Sequence, residues 1–240
     1  MSWRDMGKGQ MRLTLRTLAA LLGYPSEMLQ AHAEELRAAL REENALRPPR
    51  LKAIERLLDR IETSDLLDLQ ADYGELFDRS RSLSLHLFEH VHGDNRERGQ
   101  AMIDLGTQYM EAGFLLDSEE LPDFIPIFVE FASCMATPDA REWLAQPAHV
   151  FAALAERLAK RQTLYAAIFQ CLVELSGGRL DEDALQELQR NEPDDDPRHL
   201  DKQWEEAPVT FGGAHEMGGP TGVVAKIRAA NRAPNGRDRT

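Results

Sequence analysis

Apolar positions recur at helical spacing along almost the whole chain. Leu15, Leu18 and Leu22 make a first stripe, which Gly23 would close in a left-handed position with Pro25 just beyond. Leu29, His32, Leu36 and Leu40 predict a second helix. After the break at Pro48 and Pro49, Leu51, Ile54, Leu58 and Ile61 predict a third. Leu66, Leu69, Tyr73, Leu76 and Phe77 carry a fourth. Asp94, three residues ahead of Glu97, has the spacing of a capping box for a helix through Met102, Leu105 and Tyr109 that ends at Gly113. Asp123 reads as the N-cap of the next helix, with Pro126 in its first turn. There Leu121, Ile125, Phe128 and Ala132 face one way, and Phe124 and Phe131 widen the apolar face, which predicts a central helix. Pro138 and Pro147 punctuate two more segments, one of them with a stripe of Val150, Leu154 and Leu158. Leu164, Ile168, Leu172 and Leu175 form the last long stripe before Gly177 and Gly178. The pattern predicts an all-α, single-domain helical bundle. One stretch departs from it: Ser82-Leu-Ser-Leu-His-Leu87 alternates like a strand. With no second strand to pair with, it is expected to be a short helix or an ordered extended link.

The end of the chain changes character. Residues 181–206 hold eleven acidic and three basic side chains. Residues 207–240 hold six glycines and three prolines with little apolar content, too little to offset the entropy of ordering them. The expected layout is a helical domain over 11–211 and a disordered tail over 212–240. Trp204, Val209 and Phe211 carry enough apolar area for a short docked segment.

Composition narrows the class. With 240 residues and 42% hydrophobic content, the chain can build one sizeable core. A net charge of −13 disfavours nucleic acid and anionic membrane as partners. No apolar run reaches the ~18 residues of a membrane span. The first ten residues lack the apolar centre of a secretory signal, so a cytoplasmic location is expected. Cys134 and Cys171 lie on apolar stripes and are expected to be buried thiols.

The densest chemistry lies between Tyr73 and Met102, where apolar anchors alternate with histidines and charges. His86, His90 and His92 with Glu89 raise a metal-enzyme alternative. The order H-E-x-x-H is absent, since Leu87 follows His86, so polar histidines on a surface link are the favoured reading. Arg79 and Arg81, with Arg96 and Arg98 later, suit either a solvated surface or an anion clamp. Charges beside Phe77, Leu87 and Phe88 give the profile of a peptide groove. No phosphate-cradling loop, paired-cysteine motif or nucleophile elbow occurs, so no catalytic residue is expected.

Several runs resemble the NarJ family of nitrate reductase assembly chaperones. They are Tyr73-Gly-Glu-Leu-Phe-Asp-Arg79, Ser84-Leu-His-Leu-Phe-Glu-His-Val-His-Gly93 and Arg96-Glu-Arg-Gly-Gln-Ala-Met102. Leu121-Pro-Asp-Phe-Ile-Pro-Ile-Phe-Val-Glu130, Trp204-Glu-Glu-Ala-Pro-Val-Thr-Phe211 and Leu21-Leu-Gly-Tyr-Pro25 add to the likeness. The resemblance implies a helical domain of the redox-enzyme maturation chaperone type, with no cofactor of its own. It implies a cytoplasmic chaperone that binds the N-terminal segment of the nitrate reductase catalytic (alpha) subunit and supports molybdenum cofactor insertion before membrane docking. Molybdenum cofactor biosynthesis proteins are a second candidate partner. The expected peptide site has a floor of Tyr73, Phe77, Leu87, Phe88, Phe124 and Phe128, and a rim of Arg79, Arg81, Glu89 and His90. Phe124 stands where many relatives carry histidine, which suggests packing or an apolar floor there. A helical scaffold subunit with a permanent partner is the remaining alternative.

Overall fold

The computed structural model describes residues 10–91, 97–116, 120–178 and 180–190. All belong to one compact unit, Met1–Leu200. The expected capping residue Asp94, the segment from Trp204 to Phe211 and the tail beyond it lie outside the described residues, as does His92. Among the described residues the regular structure is helical throughout, as the periodicity predicts: α1 (Arg12–Leu22), α2 (Glu27–Ala31), α3 (Ala33–Glu43), α4 (Pro48–Thr63), α5 (Leu66–Tyr73), α6 (Leu87–Val91), α7 (Glu97–Glu111), α8 (Ile125–Ser133), α9 (Thr137–Ala145), α10 (Ala148–Lys160), α11 (Ala166–Leu175) and α12 (Glu182–Arg190).

The centre is built from the helices with the widest apolar faces. α1 lies along α8, bringing Leu15, Leu18 and Leu22 into one core with Ile125, Phe128 and Ala132. α10 and α11 pair beside them through Phe151, Leu154, Ile168 and Leu172. Aromatic rings fill the seams. Phe128 stacks on Trp143 with centroids 4.7 Å apart, and Tyr109 meets Phe131 edge-on at 4.6 Å. Their polar tips are not left dry: the Trp143 indole donates to the Phe128 carbonyl, and the Tyr109 hydroxyl to that of Pro122.

Helix ends depart from sequence expectation where a distant side chain supplies the cap. Met11 precedes α1 and has no oxygen to offer. Glu43, at the end of α3, accepts from the amides of Leu13 (3.0 Å) and Thr14 (2.6 Å) instead. Gly23 is not left-handed but extended (φ −72°, ψ 163°); Tyr73 donates its hydroxyl to the Leu22 carbonyl and closes that end. The second stripe is broken at His32, so it forms two helices, α2 and α3. The prolines behave as predicted: Pro48 and Pro49 open α4, and Pro138 opens α9. Gly113 (φ 85°) and Gly177 (φ 92°) take left-handed positions after α7 and α11. The bonds Phe114 N–H to Tyr109 O and Gly178 N–H to Val173 O complete both C-terminal turns. Cys134 is exposed, contrary to expectation, because it follows the last turn of α8. Cys171 is buried, and burial pushes its thiol up to about 12.

Candidate functional site

α5 runs into a single π-turn, Gly74–Asp78, and then into a link over residues 79–86 that includes a short 3₁₀ turn, Arg81–Leu83. The alternation of the link does not come from a sheet surface. Ser80, Ser82 and Ser84 are buried along with Leu83 and Leu85, so both sides of the extended chain face protein. The last turn of α10 and the next residue hold it there. Arg157, itself buried, donates to the Ser82 carbonyl at 2.9 Å, and Arg161 donates to the Ser80 hydroxyl at 3.0 Å.

The partner that sequence reading did not find for this extended stretch is the loop ahead of α8. His86 and Phe124 form an isolated antiparallel bridge, with Ile125 N–H to Leu85 O at 2.8 Å and Leu87 N–H to Asp123 O at 3.0 Å. Asp123 therefore does not cap α8, whose N-cap residue Phe124 offers no side-chain acceptor. Its fully buried carboxylate accepts instead from the Phe88 amide at 3.1 Å and from His86 Nδ1 at 3.1 Å. It thus caps the first turn of α6 from 35 residues away in sequence. The hydrogen bond it donates to Asp123 raises the His86 pKa, against the opposing effect of burial. His90, one turn along, donates Nε2–H to the Ser84 carbonyl at 2.8 Å, and burial lowers its pKa, which favours the neutral ring.

These contacts disperse the histidine–carboxylate set. His86 turns to Asp123, His90 to Ser84 and Glu89 to Arg98 at 3.1 Å. Among the described residues no group of three or more His, Cys, Asp or Glu side chains is placed to hold a metal ion.

The ten side chains expected to form a peptide site fall into two groups. Tyr73, Phe77, Leu87 and Phe128 are buried in the hydrophobic core. Tyr73 and Phe77 lie 4.8 Å apart in an aromatic cluster with Tyr165. Phe88, Glu89, His90 and Phe124 are half-buried, and Arg79 and Arg81 are exposed. Sequence reading missed the apolar surface beside the second group. Val91 is 50% exposed, Ile103 63%, Met110 59% and Leu121 44%. Gly106 brings these together: a Cβ there would meet Pro122 at 3.6 Å, so the loop can lie close against α7 between Ile103 and Met110. The loop over 121–124 thus touches α7 on one side and is clamped to α6 on the other. The loop that carries Leu121 and Phe124 is thereby held to α6, which carries Phe88 and Val91, and to α7, which carries Ile103 and Met110. The one signal in the sequence that could have indicated that apolar surface is the helix α7 itself, where Ile103 and Met110 stand off the stripe of Leu105 and Tyr109.

Residues 26–170 match the family described as nitrate reductase delta subunit. The chain is 40% identical over 200 residues to the nitrate reductase molybdenum cofactor assembly chaperone NarJ of Escherichia coli K12, covering 83% of this chain and 85% of that one. It is 38% identical over 198 residues to the probable nitrate reductase molybdenum cofactor assembly chaperone NarW of the same strain, covering 82% and 83%. With the probable NarJ of Bacillus subtilis it shares 29% identity over 165 residues, 68% of this chain and 87% of that one. The anchored link, α6 and the loop ahead of α8 lie within residues 26–170, and the chain belongs to the nitrate reductase delta subunit family, the family of NarJ.

Proposed function

We propose that this protein is an assembly chaperone for a respiratory nitrate reductase. In this reading it holds the N-terminal segment of the catalytic subunit as an amphipathic helix while the molybdenum cofactor is inserted. It acts in the cytoplasm, before the enzyme docks on the membrane. The observation that carries the reading is the apolar surface of Phe88, Val91, Leu121 and Phe124 with Ile103 and Met110. These side chains are carried by α6, α7 and the loop ahead of α8, which the buried Asp123 carboxylate ties to the Phe88 amide. Relatives named as molybdenum cofactor assembly chaperones give the client class. Contiguous exposed apolar surface has a solvation cost that a partner relieves, and a helix laid in such a groove offers anchors at one-turn spacing.

Phe88 and Phe124 are the anchors in this reading, and Arg79, Arg81, Glu89 and His90 supply the rim. Tyr73, Phe77, Leu87 and Phe128 act from beneath, as the packed support that keeps the anchors in place. Three buried client anchors would contribute roughly 4.5–9 kcal/mol of transfer energy. Association and ordering offset a comparable share, which leaves reversible binding in the micromolar to nanomolar range.

The test is calorimetric titration with a synthetic peptide of the catalytic subunit's first ~20 residues, roughly 30 Å long as a helix. Phe88→Asp places a charge against the apolar surface and is expected to weaken binding at least about tenfold, near 1.4 kcal/mol. A folded Phe88→Asp protein that binds as the parent does would exclude this surface as the client site.

A further inference from the structure

The last described helix has the attributes of a ligand more than of a wall. α12 has nine residues, Glu182–Arg190, fewer than an isolated helix needs to persist in water. None of its side chains is fully buried; Ala184, Leu185 and Leu188 are half-buried along one face. It is entered through Gly177 and Gly178, both at positive φ (92° and 69°), which close the last turn of α11 and turn the chain out of it. Its hold on the body is concentrated in the second half of α10. Arg157 donates Nη2–H to the Leu188 carbonyl at 2.8 Å, and Gln189 donates to the Glu156 carboxylate at 2.7 Å. The same guanidinium, only 5% exposed, holds the Ser82 carbonyl of the link through its other nitrogen.

We propose that α12 is an exchangeable occupant of a helix-binding face on α10, and that the client segment takes its place there. This rests on the reading that the protein holds a client helix, and it extends that site from α6 across the link onto α10. The face reads features that many amphipathic helices share. It takes a short aliphatic stripe with the spacing of Ala184, Leu185 and Leu188, and a carbonyl from the last turn, where every helix has acceptors without an intrahelical partner. Arg157 suits this role because its planar fork can keep one hand on Ser82 while the other changes carbonyls. Exchange of the helix is thereby felt at the link that carries the α6 surface. The partner is a helix of two to three turns with a small aliphatic face, and the spacing within α12 is its template.

The test fixes α12 in place. In full-length protein carrying Cys134→Ser, Glu156→Cys and Gln189→Cys are joined by a short bifunctional maleimide. Cys171 stays intact, since it is buried and its thiol is pushed up to about 12. The catalytic subunit's N-terminal peptide is then titrated into joined and unjoined forms, and hydrogen exchange is followed in the unjoined form. The joined form is expected to bind at least about tenfold more weakly. In the unjoined form peptide should speed exchange in α12 and slow it in α10. Equal affinity of the two forms, or slower exchange in α12 with peptide bound, overturns the exchange and leaves the chaperone reading standing. Absence of binding in both forms overturns the chaperone reading and takes the exchange with it.

Discussion

Asp123 is the residue on which the site turns. Its carboxylate is fully buried yet serves two donors on another segment, His86 and the Phe88 amide. Hydrogen bonds to a charged group contribute about 1.5–3 kcal/mol each, so Asp123→Ala is expected to lose about 3 kcal/mol in urea unfolding. Asp123→Asn, which keeps one acceptor, should lose less. The two nearby histidines pull stability in opposite directions with pH. The pKa of His86 is raised in the folded protein, so its contribution is fully present below about 6.5 and is lost as pH rises through the folded value. The pKa of His90 is lowered, so folding favours its neutral ring; stability falls as pH drops from about 6.5 towards the folded value. Melting temperatures from pH 5 to 8 should therefore separate His86→Asn, which removes the acid-side gain, from His90→Gln, which removes the acid-side loss. Parallel profiles for the two variants would show that these hydrogen bonds do not set the pH response.

Two glycines show how elements impose different demands on one residue type. Gly106 lies inside α7 with ordinary helical geometry, and a methyl there would meet Pro122 at no worse than 3.6 Å. Gly106→Ala is expected to stabilise the protein by about 0.5–1 kcal/mol through the unfolded chain's lost freedom. Gly177 has open space for a methyl but stands at φ 92°, so Gly177→Ala should cost about 1–2 kcal/mol. Urea midpoints of the two variants should move in opposite directions. A larger side chain at 106 is a different experiment, since it would push the 121–124 loop off α7 and open the apolar surface.

Across the whole molecule, segments far apart in sequence are joined through single side chains. Arg157 ties the link near Ser82 to α12, and Asp123 ties it to the loop ahead of α8. Arg157→Met keeps the apolar stem but removes both carbonyl bonds. It is expected to cost about 2 kcal/mol or more and to speed hydrogen exchange around Ser82 and in α12 together. Arg161→Met, whose hydroxyl partner is Ser80, should speed exchange near Ser80 and leave α12 unchanged. A similar response in the two variants would mean that Arg157 does not couple the segments.

The helical class was legible because the apolar period is a local property, and proline and glycine marked several helix ends, such as the start of α4 and the ends of α7 and α11, for the same reason. The run from Tyr73 to Met102 stood out as chemistry beyond what packing needs, and it does include the link and α6. Its anchors were not legible. An aspartate one residue ahead of Phe124 and three ahead of Pro126 looks like an N-cap to any local reading; only the fold brings a neighbouring segment with free donors to it. Glu43 at the start of α1 and Arg157 beneath α12 are invisible for the same reason, as their partners lie 29 to 75 residues away. Nor does sequence period separate Phe128, which fills the core, from Leu121, which shares its stripe in sequence but faces outward. The sequence alone determined which segments are helices and where chemistry is concentrated. Tertiary structure decided which apolar side chains are buried and which polar groups satisfy one another, because both depend on packing between segments remote in the chain.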